Sequence, residues 1–201
     1  MIHTVISDLG KVIIFFDNRI FFKKMSQFCS YSEEEIGNRA LGELRLVQSF
    51  DRGEIAPQEF YSEVVQRLGA TIAYDEFYSI YNDVFSLNTP ALEVMKKLMK
   101  NYELVLLSNT DVMRFGFIRK KFPEIMIFDH YVLSFEVGFM KPHPQIYREA
   151  LKRAGTDARD CVFIDDSEEN VNAAEKLGIK GVLFTPNMDL KATLKSSGLS
   201  F

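Results

Sequence analysis

The sequence is poor in the features that mark secreted and membrane proteins. Its two cysteines, Cys29 and Cys161, form no CxxC pair, so we expect reduced thiols, as in a cytoplasmic protein. The N-terminus has no cationic segment that leads into an apolar one, as a signal peptide would. No apolar run is long enough to span a bilayer. These absences predict a soluble, cytoplasmic protein that does not act in a membrane.

Positive charge is not in excess either. The formal net charge is −4 and the pI is near 5.5, which argues against nucleic acid as a partner because nucleic-acid binding needs a basic face. A single local lysine can outweigh the global charge, so a small anionic substrate remains compatible with this composition. The pattern GxGxxG does not follow the first predicted strand, which argues against a nucleotide-binding dehydrogenase.

The chain opens on a short apolar run at positions 4–7 that leads directly into Asp8, and Gly10 follows two positions later. The run is too short for a helix and rich in β-branched residues, so it predicts a buried strand. Gly10 indicates a turn at the carboxyl end of that strand, where open α/β sheets bind their ligands. Taken alone, Asp8 is equally well explained as a turn residue.

The 201 residues suit one domain, with or without a small insertion. From position 89 onward, short apolar strands alternate with amphipathic helices, which requires parallel strands joined by right-handed crossovers. Before that point the strand pattern disappears and helix signals take over. We therefore predict an α/β fold. Residues 1–14 and 87–201 form a doubly wound parallel sheet, and an α-helical insertion at 15–86 lies over its crevice.

More polar residues stand at or near the ends of the later strands. They are Ser108 and Asn109, Lys141 in a connecting loop, and Asp165 and Asp166. Seen one by one, such residues are common as helix caps or loop residues. Because the carboxyl ends of parallel strands share one edge of a sheet, we expect these side chains to converge with Asp8 on one crevice.

Such a crevice has a definite chemistry. Clustered carboxylates repel one another unless a cation neutralises them, and hard oxygen ligands favour Mg²⁺, which also binds substrate phosphate. A carboxylate beside Mg²⁺ and a lysine stays ionised and can attack phosphorus. The Ser108 hydroxyl and the N–H groups that follow it can bind phosphate oxygens. Lys141 can neutralise charge on the nucleophile and on the phosphoryl group.

Four motifs occur in a characteristic order. They are Asp8-Leu9-Gly10-Lys11-Val12, Leu107-Ser108-Asn109-Thr110, Lys141-Pro142 and Asp165-Asp166-Ser167-Glu168-Glu169-Asn170. On these motifs the chain resembles the haloacid dehalogenase-like hydrolase superfamily over essentially its full length. The opening motif, Ser-Asn-Thr and Lys-Pro-x-x-x-Ile-Tyr look like its α-D-glucose-1-phosphate phosphatase branch. The resemblance implies a Rossmann-like core with a helical cap inserted after the first strand.

The resemblance also implies a metal site and a nucleophile. Asp8 would be the catalytic nucleophile and a ligand of Mg²⁺, and the backbone carbonyl of Gly10 would be a second ligand. Asp166 would bind the metal directly, and Asp165 would bind it directly or through water.

The remaining motif residues would act on the substrate. Ser108 and Asn109 would hold its phosphate, and Lys141 would bind, orient and neutralise it as a catalytic residue. Asn170 would support the metal shell or Lys141. The implied activity is a Mg²⁺-dependent phosphatase that hydrolyses a small phosphorylated metabolite, such as a sugar phosphate, through an aspartyl-phosphate on Asp8.

One position departs from the family pattern. Most phosphatases of the superfamily carry an acid/base aspartate two residues after the nucleophile, where this chain has Gly10. Glycine cannot transfer a proton, and such transfer contributes about 10²–10⁴-fold. Either a cap residue or water replaces it, or the substrate has a good leaving group, or the protein is a slow or non-catalytic phosphate-binding scaffold.

A 2-haloacid dehalogenase is the other alternative, since it uses the same fold and nucleophile without Mg²⁺ and lacks the second aspartate. The adjacent Asp165 and Asp166 weigh against it, because two such carboxylates are costly in a metal-free anion site.

Overall fold

A computed structural model describes the backbone of residues 1–201 and the side chains of all of them except Leu41. Its strands and helices alternate for most of the chain. In chain order they are β1 (Thr4–Ser7), β2 (Ile14–Phe16), α1 (Asn18–Met25), α2 (Glu33–Gly42), α3 (Leu44–Asp51), α4 (Pro57–Leu68), α5 (Tyr74–Asn82), β3 (Phe85–Leu87), α6 (Thr89–Leu98), β4 (Glu103–Ser108), α7 (Val112–Lys121), β5 (His130–Leu133), α8 (Ser134–Val137), α9 (Pro144–Ala154), β6 (Cys161–Asp165), α10 (Glu168–Glu175), β7 (Lys180–Leu183) and α11 (Leu190–Ser196).

The central sheet has the order β5-β4-β1-β6-β7, and every neighbouring pair in it is parallel. This confirms the predicted doubly wound α/β fold. Successive side chains of the strands point to opposite faces. Val5 accordingly packs into one hydrophobic cluster and Ile6 into another. Because both faces are covered by helices, strands such as β1 and β4 are apolar without alternation.

The helices between β2 and β3 build a hydrophobic cluster of their own. Its most deeply buried members are Met25, Phe50, Phe60, Phe77 and Ile36. Two of its rings, Phe50 and Phe60, stack with centroids 4.2 Å apart. The division into a core of 1–14 and 87–201 and a cap of 15–86 stays a prediction. No helix among the described residues is long and apolar enough to cross a membrane.

The structure contains two elements that the sequence pattern did not predict. β2 and β3 form a two-stranded antiparallel ribbon in which Ile14 pairs with Leu87, whereas the insertion at 15–86 was expected to be entirely α-helical. The partners lie more than seventy positions apart, so no local signal connects them. Helix α3 was also not predicted. Its N-cap residue, Glu43, makes no side-chain hydrogen bond to the first turn, so the usual sequence marker of a helix start is missing.

The helices α1–α5, which we call the helical segment, make close contacts with elements around the five-stranded sheet. Gly53 has φ +69°, and a Cβ there would collide with the carbonyl oxygen of Phe135, so the turn after α3 lies directly on α8. The Tyr81 hydroxyl donates a 2.9 Å hydrogen bond to Asp111, the residue that caps α7. Arg114 of the same helix donates to the side chain of Asn18 at 3.1 Å.

Asp51, at the end of α3, carries a perturbed carboxyl group in this contact region. Burial raises its pKa to about 7, and the nearby Asp111 adds to the increase. The positive charges of Arg114 and Arg52 oppose the increase but do not cancel it. Ionisation of Asp51 therefore works against the folded state.

We predict that Asp51→Asn stabilises the protein at pH 8 and that the gain disappears towards pH 4. Between the ordinary pKa and about 7 the folded state holds a proton that the unfolded state has lost, so stability falls as pH rises through that interval. The asparagine removes this penalty, which should amount to about 1–3 kcal/mol. Thermal unfolding at several pH values measures it.

The exposed Asp75 provides the control, because Asp75→Asn should change stability by no more than about 0.5 kcal/mol. A stabilisation by Asp51→Asn that is the same at pH 4 and pH 8 would contradict the assignment of the effect to ionisation.

Candidate active site

Three carboxylates converge at the carboxyl edge of the sheet. Asp8 directly follows β1, Asp165 ends the neighbouring β6, and Asp166 comes next. One carboxylate oxygen from each lies within 4.8 Å of the others. The backbone N–H of Asp8 donates to the Ile164 carbonyl at 2.8 Å. This bond extends the strand pairing to the site, so the parallel register itself brings the carboxylates together.

Lys141 lies between two of these carboxylates. Its Nζ is 2.6 Å from Asp8 Oδ1 and 2.7 Å from Asp165 Oδ2, and its side chain is only 2% exposed. Burial would lower the pKa of this ammonium, but the two carboxylates outweigh burial and raise it. For Asp8, burial outweighs Lys141 and raises the pKa to about 6. Both groups are therefore charged at neutral pH.

Asn109 fixes the loop that carries Lys141. Its side-chain oxygen accepts a 2.7 Å hydrogen bond from the Lys141 backbone N–H, and its side-chain nitrogen donates to the Lys141 carbonyl at 2.9 Å. The amide of Asn109 thus binds the protein backbone with both of its polar atoms. The side chain of Asn109 is therefore not available for the predicted contact with substrate phosphate. Its backbone N–H is available, because it donates to none of the described residues.

Asp165 is saturated by protein donors. Oδ1 accepts hydrogen bonds from the Ser167 N–H at 2.8 Å and from Asn170 Nδ2 at 3.0 Å, while Oδ2 faces Lys141. Asn170 is held in turn by the buried Tyr147, whose hydroxyl donates to the Asn170 carbonyl at 2.9 Å. The geometry favours a role for Asp165 in positioning Lys141. Asn170 contacts Asp165 and supports Lys141 only through it.

Other polar atoms at this edge remain without protein partners. Among the described residues, Asp8 Oδ2, the Ser108 hydroxyl and the Gly10 carbonyl take part in no hydrogen bond. Asp8 Oδ2 and the Ser108 hydroxyl lack protein partners in the described chain but are not fully enclosed. They therefore face the crevice. Asp166 is partly exposed. The site therefore presents free oxygen atoms around one nucleophile candidate.

The donor set fits a hard divalent cation. Asp8, Asp166 and the Gly10 carbonyl offer only oxygen atoms, which Mg²⁺ prefers. Lys141 and Lys11 together neutralise at most two of the three negative charges, so the site keeps an affinity for a cation. The metal roles of these residues stay predictions.

Sequence reasoning gave no role to two residues that the structure places here. Tyr147 lies within the Lys-Pro-x-x-x-Ile-Tyr pattern. It is a buried aromatic residue of α9, and the sequence does not distinguish it from an ordinary core residue. Lys11 places its Nζ 3.3 Å from Asp166 Oδ2. Its unusual backbone, with φ 57°, is invisible in a sequence.

Comparison with known proteins agrees with the fold. Residues 4–178 match the family described as haloacid dehalogenase-like hydrolases. The chain belongs to this family and is a hydrolase.

Three relatives are informative. A HAD family enzyme from Bacteroides thetaiotaomicron, solved in complex with magnesium and inorganic phosphate, superposes with a TM-score of 0.83 at 26% identity, covering 96% of this chain and 99% of its own. A D-ribitol-5-phosphate phosphatase from the same organism is 24% identical over 189 residues, 90% of each protein. A drimenol cyclase from Aspergillus calidoustus is 26% identical over 92% of this chain, which spans only 34% of that longer protein.

We predict that Lys141→Met destabilises the protein by about 3–5 kcal/mol at neutral pH, because it leaves Asp8 and Asp165 buried without their cation. The pKa of Asp8, already about 6, rises further in the variant. The folded variant then holds protons that the unfolded chain has lost, and its stability falls as pH rises. Thermal unfolding should show a difference from wild type that grows from pH 4 to pH 8.

Lys152→Met is the matched control, because the Lys152 side chain is 80% exposed and pairs only at 3.7 Å. Its effect should stay below about 1 kcal/mol. A Lys141→Met deficit that does not change with pH would contradict the pairing argument.

Proposed function

We propose that the protein is a Mg²⁺-dependent phosphatase that hydrolyses a small phosphomonoester, such as a sugar phosphate, through a phosphorylated Asp8. The observation that carries the proposal is the division of labour between the two oxygens of Asp8. Oδ1 is held by Lys141 at 2.6 Å and by the Leu9 N–H at 2.6 Å, so Oδ2 is oriented and free to attack phosphorus.

The metal would be held by Asp8, Asp166 and the Gly10 carbonyl, with Asp8 contributing Oδ1 alongside its present donors so that Oδ2 stays free to attack. Asp165 would contact it through water, because its two oxygens already accept hydrogen bonds from Ser167, Asn170 and Lys141. When bound, Mg²⁺ supplies charge neutralisation that lets an anionic nucleophile approach an anionic phosphoryl group.

The transferring phosphoryl group would be bound on the β4 side of Asp8. The Ser108 hydroxyl and the Asn109 N–H are free to donate to its oxygens. The Lys141 ammonium adds a positive charge next to the attacking carboxylate. These donors are positioned before the substrate arrives, so they stabilise the charge that develops in the transition state.

In the first step Asp8 Oδ2 forms a bond to phosphorus while the bond to the ester oxygen breaks. The departing oxygen takes its proton from water, because Gly10 offers none. In the second step a water attacks phosphorus and gives its proton to the hydroxide left by the first step, while the bond between phosphorus and Asp8 Oδ2 breaks and releases the carboxylate and inorganic phosphate. We propose that the natural substrate has a leaving group that tolerates this weak acid assistance.

The relatives support this reaction class. One is a phosphatase of D-ribitol 5-phosphate, and a structure that aligns along nearly the whole chain contains magnesium and inorganic phosphate. Their sizes agree with that of this chain. A small phosphorylated metabolite is thus the proposed substrate.

We predict that the purified protein hydrolyses p-nitrophenyl phosphate and members of a sugar-phosphate panel, that EDTA stops the reaction and that added Mg²⁺ restores it. Asp8→Asn should reduce kcat by at least about 10³-fold while phosphate binding persists, because it removes the nucleophile but little volume. Steady-state kinetics and calorimetric titration with phosphate measure the two quantities.

Three other results would favour different functions. Turnover that ignores EDTA or survives Asp8→Asn excludes the proposed mechanism. Halide release from a 2-haloacid indicates a dehalogenase. Tight phosphate binding without turnover of any ester indicates a binding scaffold.

We predict that Gly10→Asp raises the rate on alkyl phosphates, relative to p-nitrophenyl phosphate, by at least about tenfold. Gly10 does not have the left-handed φ that excludes other residues, and a Cβ there would lie 3.4 Å from the Phe16 ring, so a small adjustment admits it. The new carboxyl group could protonate a poor leaving group, whereas p-nitrophenolate needs little help. Gly10→Asn has the same size and cannot transfer the proton. Equal ratios in the two variants would show that proton transfer is not what Gly10 lacks.

A further inference from the structure

Lys11 has a backbone conformation that is normally left to glycine. Its φ of 57° is the one positive value found at a non-glycine residue in the described chain, and in this region Cβ crowds the neighbouring carbonyl. The surrounding turn holds it there. Its N–H donates to the Ile14 carbonyl at 2.7 Å, and the Leu9 carbonyl accepts from the N–H of Ile13 at 2.9 Å. Backbone strain that the fold maintains tends to occur at functional sites.

The side chain of Lys11 is available to a ligand. Its Nζ lies 3.3 Å from Asp166 Oδ2, but the side chain is 58% exposed. Exposed ion pairs of this kind contribute little to stability, so the ammonium can leave Asp166 when another anion approaches. Lys141 differs in this respect. It is buried between two carboxylates, and moving it away would leave both of them without a counter-charge, at a large cost in free energy.

Lys11 and the proposed phosphoryl site lie on opposite sides of Asp8. β4 and β6 flank β1 on opposite sides. Ser108 ends β4, whereas Lys11 pairs with Asp166 next to β6. Its Nζ is also 6.0 Å from the ring of Phe16, where β2 leads into the helical segment. Lys11 therefore lies on the side of Asp8 away from Ser108, where we place the leaving group of the proposed reaction.

We propose that Lys11 binds a second anionic group of the substrate, so that the site prefers phosphomonoesters with a carboxylate or a second phosphate close to the ester. The proposal rests on the proposed phosphatase function. The phosphoryl group itself already has Ser108, the Asn109 N–H and Lys141 as partners. A further ammonium on the other side of Asp8 matches a second negative charge.

Three substitutions separate the charge of Lys11 from its strain. Lys11→Gln removes the charge and keeps a side chain at the strained position. Lys11→Gly removes the charge and relieves the strain, so it should unfold at a higher temperature than wild type. Lys11→Arg keeps both. Lys100→Gln removes an exposed lysine elsewhere on the surface and serves as the charge control.

The assay compares 2-phosphoglycolate with 2-hydroxyethyl phosphate, which has an uncharged hydroxymethyl group in place of the carboxylate. We expect wild type to favour 2-phosphoglycolate in kcat/KM by at least tenfold, mainly through KM. Lys11→Gln and Lys11→Gly should lose that preference, although the second is the more stable protein. Lys11→Arg and Lys100→Gln should keep it.

A binding measurement makes the test independent of turnover. Calorimetric titration of Asp8→Asn protein with both esters should show the same preference, and Asp8→Asn/Lys11→Gln should lack it. Equal treatment of the two esters by wild type, or a preference that survives Lys11→Gln, overturns the role of Lys11. If these esters, p-nitrophenyl phosphate and the sugar-phosphate panel all resist hydrolysis, the phosphatase proposal fails, and the titration still decides whether Lys11 recognises the second anion.

Discussion

The site depends on one buried ion triplet, the Lys141 ammonium between Asp8 and Asp165. Charges removed from water are stable only when they are paired and hydrogen-bonded, and the surroundings supply the bonds. Asn109 holds the backbone of Lys141 on one side, and Asn170 holds Asp165 on the other. The motifs that lie far apart in the chain are therefore parts of one network whose geometric result is a single free oxygen on Asp8.

The helical segment contacts the same edge of the sheet from above. Gly53 lies on the backbone of Phe135, and Tyr81 binds Asp111, three residues beyond Ser108. If this edge binds the substrate phosphate, as proposed, discrimination between substrates has to come from residues on the leaving-group side. Gly10 leaves space next to Phe16 that a larger side chain would fill.

Much of the fold and of the site could be predicted from the sequence. The apolar run before Asp8 predicted β1, and alternating strands and helices predicted a parallel sheet, because such connections allow few other arrangements. Once the strands are parallel, Asp8, Ser108 and Asp165 must share an edge. The ribbon of β2 and β3 and the uncapped helix α3 could not be predicted, since one depends on a distant partner and the other lacks a start signal.

The sequence by itself thus determined which residue types meet at the carboxyl edge, through the periodicity of the strands and the polar residues that follow them. Only the tertiary structure decided what each one does there. The oxygens of Asp165 are occupied, one oxygen of Asp8 is free, and Asn109 binds backbone. The left-handed turn at Lys11 likewise appears only in three dimensions. The physical reason is that hydrogen-bond partners, burial and backbone strain depend on distances between segments that are remote in the chain, and those distances exist only in the folded protein.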